Sequence, residues 1–148
     1  MNFPKDKQLW LDNIQEISNQ TIIQVLGIEF IDIDNEHIEL QMPITDAVRQ
    51  PYGMLHGGAS MVLAETAASA HASWGVDLTK KVPVAIEING SHLRSAADGH
   101  VRAVGKIMRW SSSLVVHTVE IIHLESGNLL SIARITNYYK KLQSAAND

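Results

Sequence analysis

Residues 50–76 read QPYGMLHGGASMVLAETAASAHASWGV, and the fold turns on this stretch. Between Arg49 and Asp77 it carries one formal charge, Glu65. From Gly57 to Ser73 nearly every residue is small or apolar, and after Pro51 no proline interrupts the run. Ala, Met and Leu favour a helix, and a helix apolar on all sides is expected to be buried. At helical spacing Gly58, Met61, Glu65, Ala68 and Ala72 share a stripe. A carboxylate on such a stripe costs several kcal/mol unless something is arranged around it. A structural ion pair with a distant Arg or Lys would satisfy it; so would a chemical role.

The flanking residues favour chemistry. Gly57 and Gly58 allow close backbone approach where the helix starts. First-turn amides point at whatever sits there, with the positive dipole end behind them. Gln50 and His56 lie just upstream, on a loop that Pro51 and Gly53 mark. A carboxylate, an imidazole, an amide side chain and a preorganised N–H can together polarise a carbonyl and activate water.

The 148-residue chain has the length of one domain, expected over 1–148 with a core of its own. Its charged fraction, 19%, is low enough to suit a surface partly covered by an oligomer interface. A net charge of −4 argues against nucleic acid as a partner. The absence of cysteine removes disulfides, thiolate nucleophiles and Cys-ligated zinc. The start, MNFPKDKQLWLDN, lacks the apolar core of a signal peptide. Residues 57–75 are too rich in Ala, Gly and Ser to enter a membrane, and they carry Glu65 and His71. A soluble, cytoplasmic protein is expected.

Outward from the central run, Leu9, Trp10, Ile14 and Ile17 predict an amphipathic helix over about 5–19. Thr21–Leu26 reads as a helical turn ending at Gly27. Ile28–Ile33 and His37–Met42 read as strands around Asp34-Asn35-Glu36, with Phe30 and Ile31 breaking the alternation in the manner of a bulge. Val82–His92, Val101–Arg109, Leu114–Leu124 and Leu129–Tyr139 read as four further strands. Asp98-Gly99 and Ser126-Gly127-Asn128 supply turn chemistry between them. The pattern predicts an α+β fold, a mostly antiparallel sheet facing one long helix, followed by a frayed tail over about 141–148.

Seven histidines raise the question of a metal, but no H-x-x-x-H or H-E-x-x-H spacing occurs and none is expected. His71 reads as core or interface. Ser111-Ser112-Ser113 lacks a G-x-S-x-G elbow and reads as a strand-entry loop. Arg94, Arg102, Lys106 and Arg109 form either a solvated strand face or a contact for phosphate groups.

Gln50, His56-Gly57-Gly58, Glu65 and Ser69, followed by Asn89-Gly90-Ser91-His92-Leu93-Arg94, resemble the hotdog-fold thioesterase superfamily. The PaaI-like acyl- and aryl-CoA thioesterases are most similar, a group that includes the enterobactin proofreading and 1,4-dihydroxy-2-naphthoyl-CoA thioesterases. The resemblance implies an antiparallel sheet wrapped around the central helix and hydrolysis of an acyl-CoA or aryl-CoA thioester. It implies that Glu65 acts as nucleophile or general base and that the Gly57 N–H, beside Gly58, polarises the carbonyl. Gln50 and His56 would hold the thioester and the water or leaving group. Ser69 would bond the water or the acyl part, His92 would line the acyl pocket, and Arg94 would contact coenzyme A. CoA would enter as part of the substrate, with no separate cofactor.

His56 and Glu65 are nine positions apart, about 13 Å along one helix axis. Two antiparallel helices at a two-fold interface would bring the Gly57 end of one to Glu65 of the other. A homodimer with shared sites is therefore expected, pairing further into a homotetramer. A non-catalytic acyl-CoA binding protein and a hotdog dehydratase or hydratase are the alternatives. The dehydratase-like H-F-P-G stretch is absent, and binding alone needs no buried acid.

Overall fold

The computed structural model describes residues 5–143. In chain order these form α1 (Lys7–Ile17), α2 (Ile22–Val25), β1 (Glu29–Ile33), β2 (His37–Pro43) and a 3₁₀ turn (Asp46–Val48). Then come α3 (Gly57–Ala72), β3 (Lys81–His92), β4 (His100–Trp110), β5 (Leu114–His123) and β6 (Leu129–Lys141). Asp6 caps α1 by accepting the Leu9 N–H at 2.9 Å, and Thr21 caps α2 through the Ile23 N–H at 3.2 Å.

Among the described residues the strands make one antiparallel sheet in the order β1-β2-β4-β5-β6-β3. The bulge expected in β1 falls at Ile31, where pairing steps from Phe30–Leu40 to Asp32–Glu39. Leaving α3, the chain crosses to the far side of the sheet. β3 therefore pairs with β6, not with β4, and ends as an edge strand. β6 continues through Lys141, which pairs with Lys81, so residue 141, expected in a frayed tail, belongs to the strand. Residues 144–148 of that tail lie outside the described residues.

Alternate residues of each strand reach the core: Ile38, Leu40 and Met42 on β2, Val119 and Ile121 on β5, Ala133 and Ile135 on β6. Each large one contributes about 1.5–3 kcal/mol of burial. Trp10 of α1 closes one end, edge-on to Phe30 at 5.9 Å and to Trp74 at 6.0 Å between ring centroids. The rest of the expected α1 face is only partly used. Leu9 and Ile17 are exposed, while Leu11 and Ile14 pack on the core beside Trp10.

α3 packs against β2 to β6 as expected, but it is not buried on every side. Leu63, Ala64, Ala67, Ala68, His71 and Ala72 are buried, whereas Gly58, Val62, Glu65, Thr66 and Ser69 stay partly or fully exposed. A sheet covers one side of a helix, and among the described residues nothing of comparable size covers the other. Glu65 thus lies beside Val62 and Ser69 on the open side, and the Ala68 and Ala72 of its expected stripe lie underneath.

Candidate active site

Two clefts border α3, one at its start and one along its middle and C-terminal half. The first, about 520 Å³, is lined by Gln50, Gly57, His92, Leu93 and Arg94, with Ser60 and Ser131 in its wall. The turn at Gly53 positions Gln50: its N–H donates to Met54 O at 2.8 Å, and its carbonyl accepts the Gly53 N–H at 2.9 Å. His92 ends β3 with its Nε2 edge against Gly57. A β-carbon on Gly57 would sit 2.5 Å from His92 Nε2, so a larger residue there would have to displace the ring. The other ring nitrogen, Nδ1, hydrogen-bonds with Ser131 Oγ at 2.7 Å. Arg94 is held by its Nη1, which donates to Leu129 O at 3.2 Å.

At the helix start, His56 is the N-cap, and its Nδ1 accepts the Gly58 N–H at 2.8 Å. His56 therefore orients the first turn and does not line the first cleft, and the Gly58 N–H is already occupied. The Gly57 N–H has no acceptor among the described residues, and Gly57 lines the cleft. It is the donor left to meet a carbonyl oxygen, with the dipole of α3 behind it.

Glu65 and Ser69 belong to the second cleft, about 530 Å³. There Val62 and Thr66 of α3 face Ile14, Ile17, Ile22, Ile23, Phe30, Val82 and Pro83. These walls come from the N-terminal elements, the central helix and the start of β3. They make an apolar sleeve with a carboxylate and a hydroxyl on one side. Among the described residues Glu65 forms no ion pair, so no Arg or Lys of its own chain satisfies it. Ser69 Oγ donates to Asn137 Oδ1 on β6 at 3.0 Å.

One chain thus brings Gln50, Gly57, His92 and Arg94 together, and Glu65 with Ser69, but not the two groups with each other. Of the basic residues, Arg102 is engaged by Glu39 and Gln41 at 3.1 and 2.9 Å and belongs to the strand face. Ser131 and Asn137 were not anticipated. Both are polar residues at buried positions of β6, and that interruption of an otherwise apolar inward row is the signal that could have marked them.

A family model described as Thioesterase superfamily matches residues 52–129, from the loop before α3 to the start of β6. The 1,4-dihydroxy-2-naphthoyl-CoA hydrolase of Escherichia coli (strain K12) is 35% identical over 130 residues, 88% of this chain and 94% of that one. The chain belongs to the thioesterase superfamily. Solved thioesterases share the fold. One from Haemophilus influenzae superposes with a TM-score of 0.85 at 30% identity, over 93% of this chain and 94% of its own. A mutant thioesterase from Pseudomonas aeruginosa gives 0.85 at 32% identity, over 89% and 94%. The helix-and-sheet arrangement is the hotdog fold, and this thioesterase is a thioester hydrolase. Among its described residues no helix is long and apolar enough to cross a membrane, and no group of three His, Asp or Glu side chains is gathered around a metal-sized space.

Proposed function

We propose that this thioesterase hydrolyses acyl-CoA or aryl-CoA thioesters to the free acid and CoA, in sites shared by two antiparallel protomers. The division of the site residues between two clefts carries the proposal. Gly57 and Glu65 are eight positions apart on one helix, about 12 Å along its axis. A thioester carbon cannot meet both from the same chain. The Gly57 cleft of one protomer set against the Glu65 cleft of another supplies both groups.

Two surfaces suit a second copy of the chain. The open side of α3 has no cover among the described residues. β3 is an edge strand of 12 residues with Val84, Ile86 and Ile88 exposed to 42%, 61% and 38%. A long apolar edge is a pairing surface. Two such dimers associate further into the tetramer.

In the joined site the Gly57 N–H and Gln50 hold the thioester carbonyl, while the acyl or aryl group enters the sleeve lined by Ile14, Ile23 and Phe30. Arg94, at the mouth of the first cleft, meets the CoA phosphates. Glu65 either adds to the carbonyl carbon or takes a proton from water as its oxygen adds. The oxyanion forms against Gly57, the C–S bond breaks, and the CoA thiolate leaves and takes up a proton. In the first route water then cleaves the acyl–Glu65 anhydride. CoA arrives and departs as substrate and product, so neither route calls for a separate cofactor.

A thiol-release assay over aliphatic and aromatic CoA thioesters tests the reading. Turnover of at least one class is expected. Tight acyl-CoA binding without thiol release would instead make the chain a binding protein.

A further inference from the structure

Ser69 departs from the habit of helical hydroxyls. On α3, Thr66 Oγ1 donates back to Val62 O at 2.7 Å, and just beyond its end Ser73 Oγ donates to Ala70 O at 2.6 Å. Such local bonds are what these side chains ordinarily make. Ser69 instead donates across to Asn137. Its proton points into the core, and its lone pairs are left for the Glu65 cleft.

Asn137 is wholly buried, and so are two histidines on the same inner side of the sheet, His71 and His117. Their protons can be placed. The Asp34 carbonyl can only accept, so His71 Nε2, 2.9 Å away, carries a hydrogen. His71 Nδ1 then accepts from His117 Nε2–H at 3.0 Å. Neutral His117 keeps a bare Nδ1. That atom and Asn137 Nδ2 are both buried without a partner among the described residues. Val115 pairs with Asn137 and His117 with Ile135, so His117 and Asn137 are diagonal neighbours on one face. The backbone separation of such a pair is roughly 7–8 Å. One is a donor lacking an acceptor, the other an acceptor lacking a donor, a pair that one bridging water would satisfy.

We propose that Asn137 is a positioning residue of the active site, anchored through one buried water to the His117–His71 pair. This rests on the assignment of Glu65 and Ser69 to thioester hydrolysis. Every donor in the chain from Ser69 through Asn137, water, His117 and His71 to the Asp34 carbonyl points the same way, away from the cleft. Bonds aligned like this reinforce one another. Ser69 Oγ is thereby held as an acceptor. A water that gives one proton to Glu65 gives its other to Ser69, which aims its lone pair at the thioester carbon.

The test combines Asn137→Leu, Ser69→Ala and their double variant with a high-resolution crystal structure of the wild type. Asn137→Leu should lower kcat about tenfold with little change in KM, and should add nothing once Ser69 is Ala. A purely structural Asn137 would lower stability while leaving kcat unchanged, or its effect would multiply with that of Ser69→Ala; either result overturns the proposal. The crystal structure should hold a water between Asn137 Nδ2 and His117 Nδ1, and imidazole nitrogen NMR should read both rings as neutral Nε2–H tautomers. These two readouts stand even if Asn137→Leu does not fold. A dry gap, or the opposite tautomers, refutes the anchoring while leaving the hydrolase reading intact. Failure of the wild type to cleave any CoA thioester removes the hydrolase reading and the role of Asn137, whatever the water shows.

Discussion

His92 abuts Gly57 so closely that a methyl group on Gly57 would come within 2.5 Å of the ring nitrogen Nε2. The end of β3 thereby packs against the start of α3, where Gly57 lines the first cleft. Ser131, buried on β6, fixes the ring from behind at 2.7 Å.

Gly57→Ala should therefore destabilise the protein by about 1–3 kcal/mol through overpacking. In an His92→Ala background the same change should cost far less, because the clash is gone. Denaturant midpoints of the two single variants and the double variant check this; strict additivity would mean that the ring does not constrain Gly57.

Glu65→Gln should lower kcat by about a hundredfold or more, since the amide neither adds to the carbonyl nor takes a proton. Glu65 is partly exposed and makes no ion pair among the described residues, so the thermal midpoint should hardly move. Near-normal turnover would remove Glu65 from the mechanism.

His56 has a capping role that can be separated from chemistry. His56→Ala should cost about 0.5–2 kcal/mol of stability as the Gly58 N–H loses its acceptor. His56→Asn restores a good cap and should recover most of that loss. If His56 also touches the thioester across the dimer, kcat stays low in both variants. Recovery of kcat in His56→Asn would make its role capping alone.

Much of this was legible from short-range patterns. The small, apolar run 57–73 marked α3, the broken alternation at Phe30-Ile31 marked the bulge, and Gln50, Gly57, Glu65 and Ser69 stood out because their spacing matches a known pattern. What stayed hidden depends on contacts distant in sequence. Nothing in the turn after α3 says that β3 will cross to β6. Likewise the openness of one side of α3 depends on what a single sheet can cover, which a uniformly apolar helix does not reveal. His71 and His117 meet across 46 positions, and Asn137 meets Ser69 across 68, without a motif to announce either pair.

The histidine pair gives the protein a pH signature. Burial pushes His117 down to about 3 and lowers His71 as well. An unfolded histidine titrates near 6.5. Below that pH the unfolded chain takes up protons that the folded chain refuses, so folding stability is full above about 6.5 and falls as the pH drops. The slope is up to about 1.4 kcal/mol per pH unit for each refused proton. Urea midpoints at neutral and mildly acidic pH should show this decline, and His117→Phe should flatten it. An equal slope in the variant would contradict neutral burial of His117.

The shared site is the central claim, and mixing two inactive proteins tests it most directly. Glu65→Ala and Gln50→Ala proteins, each nearly inactive, are unfolded together and refolded as a mixture. About half the dimers are then mixed. If Gln50 and Glu65 of each site come from different protomers, every mixed dimer has one doubly damaged site and one intact site. Activity should return to roughly a quarter of wild type under random pairing. If both residues came from one chain, every site would carry a lesion. No recovery, with mixed dimers confirmed by mass, would contradict the account.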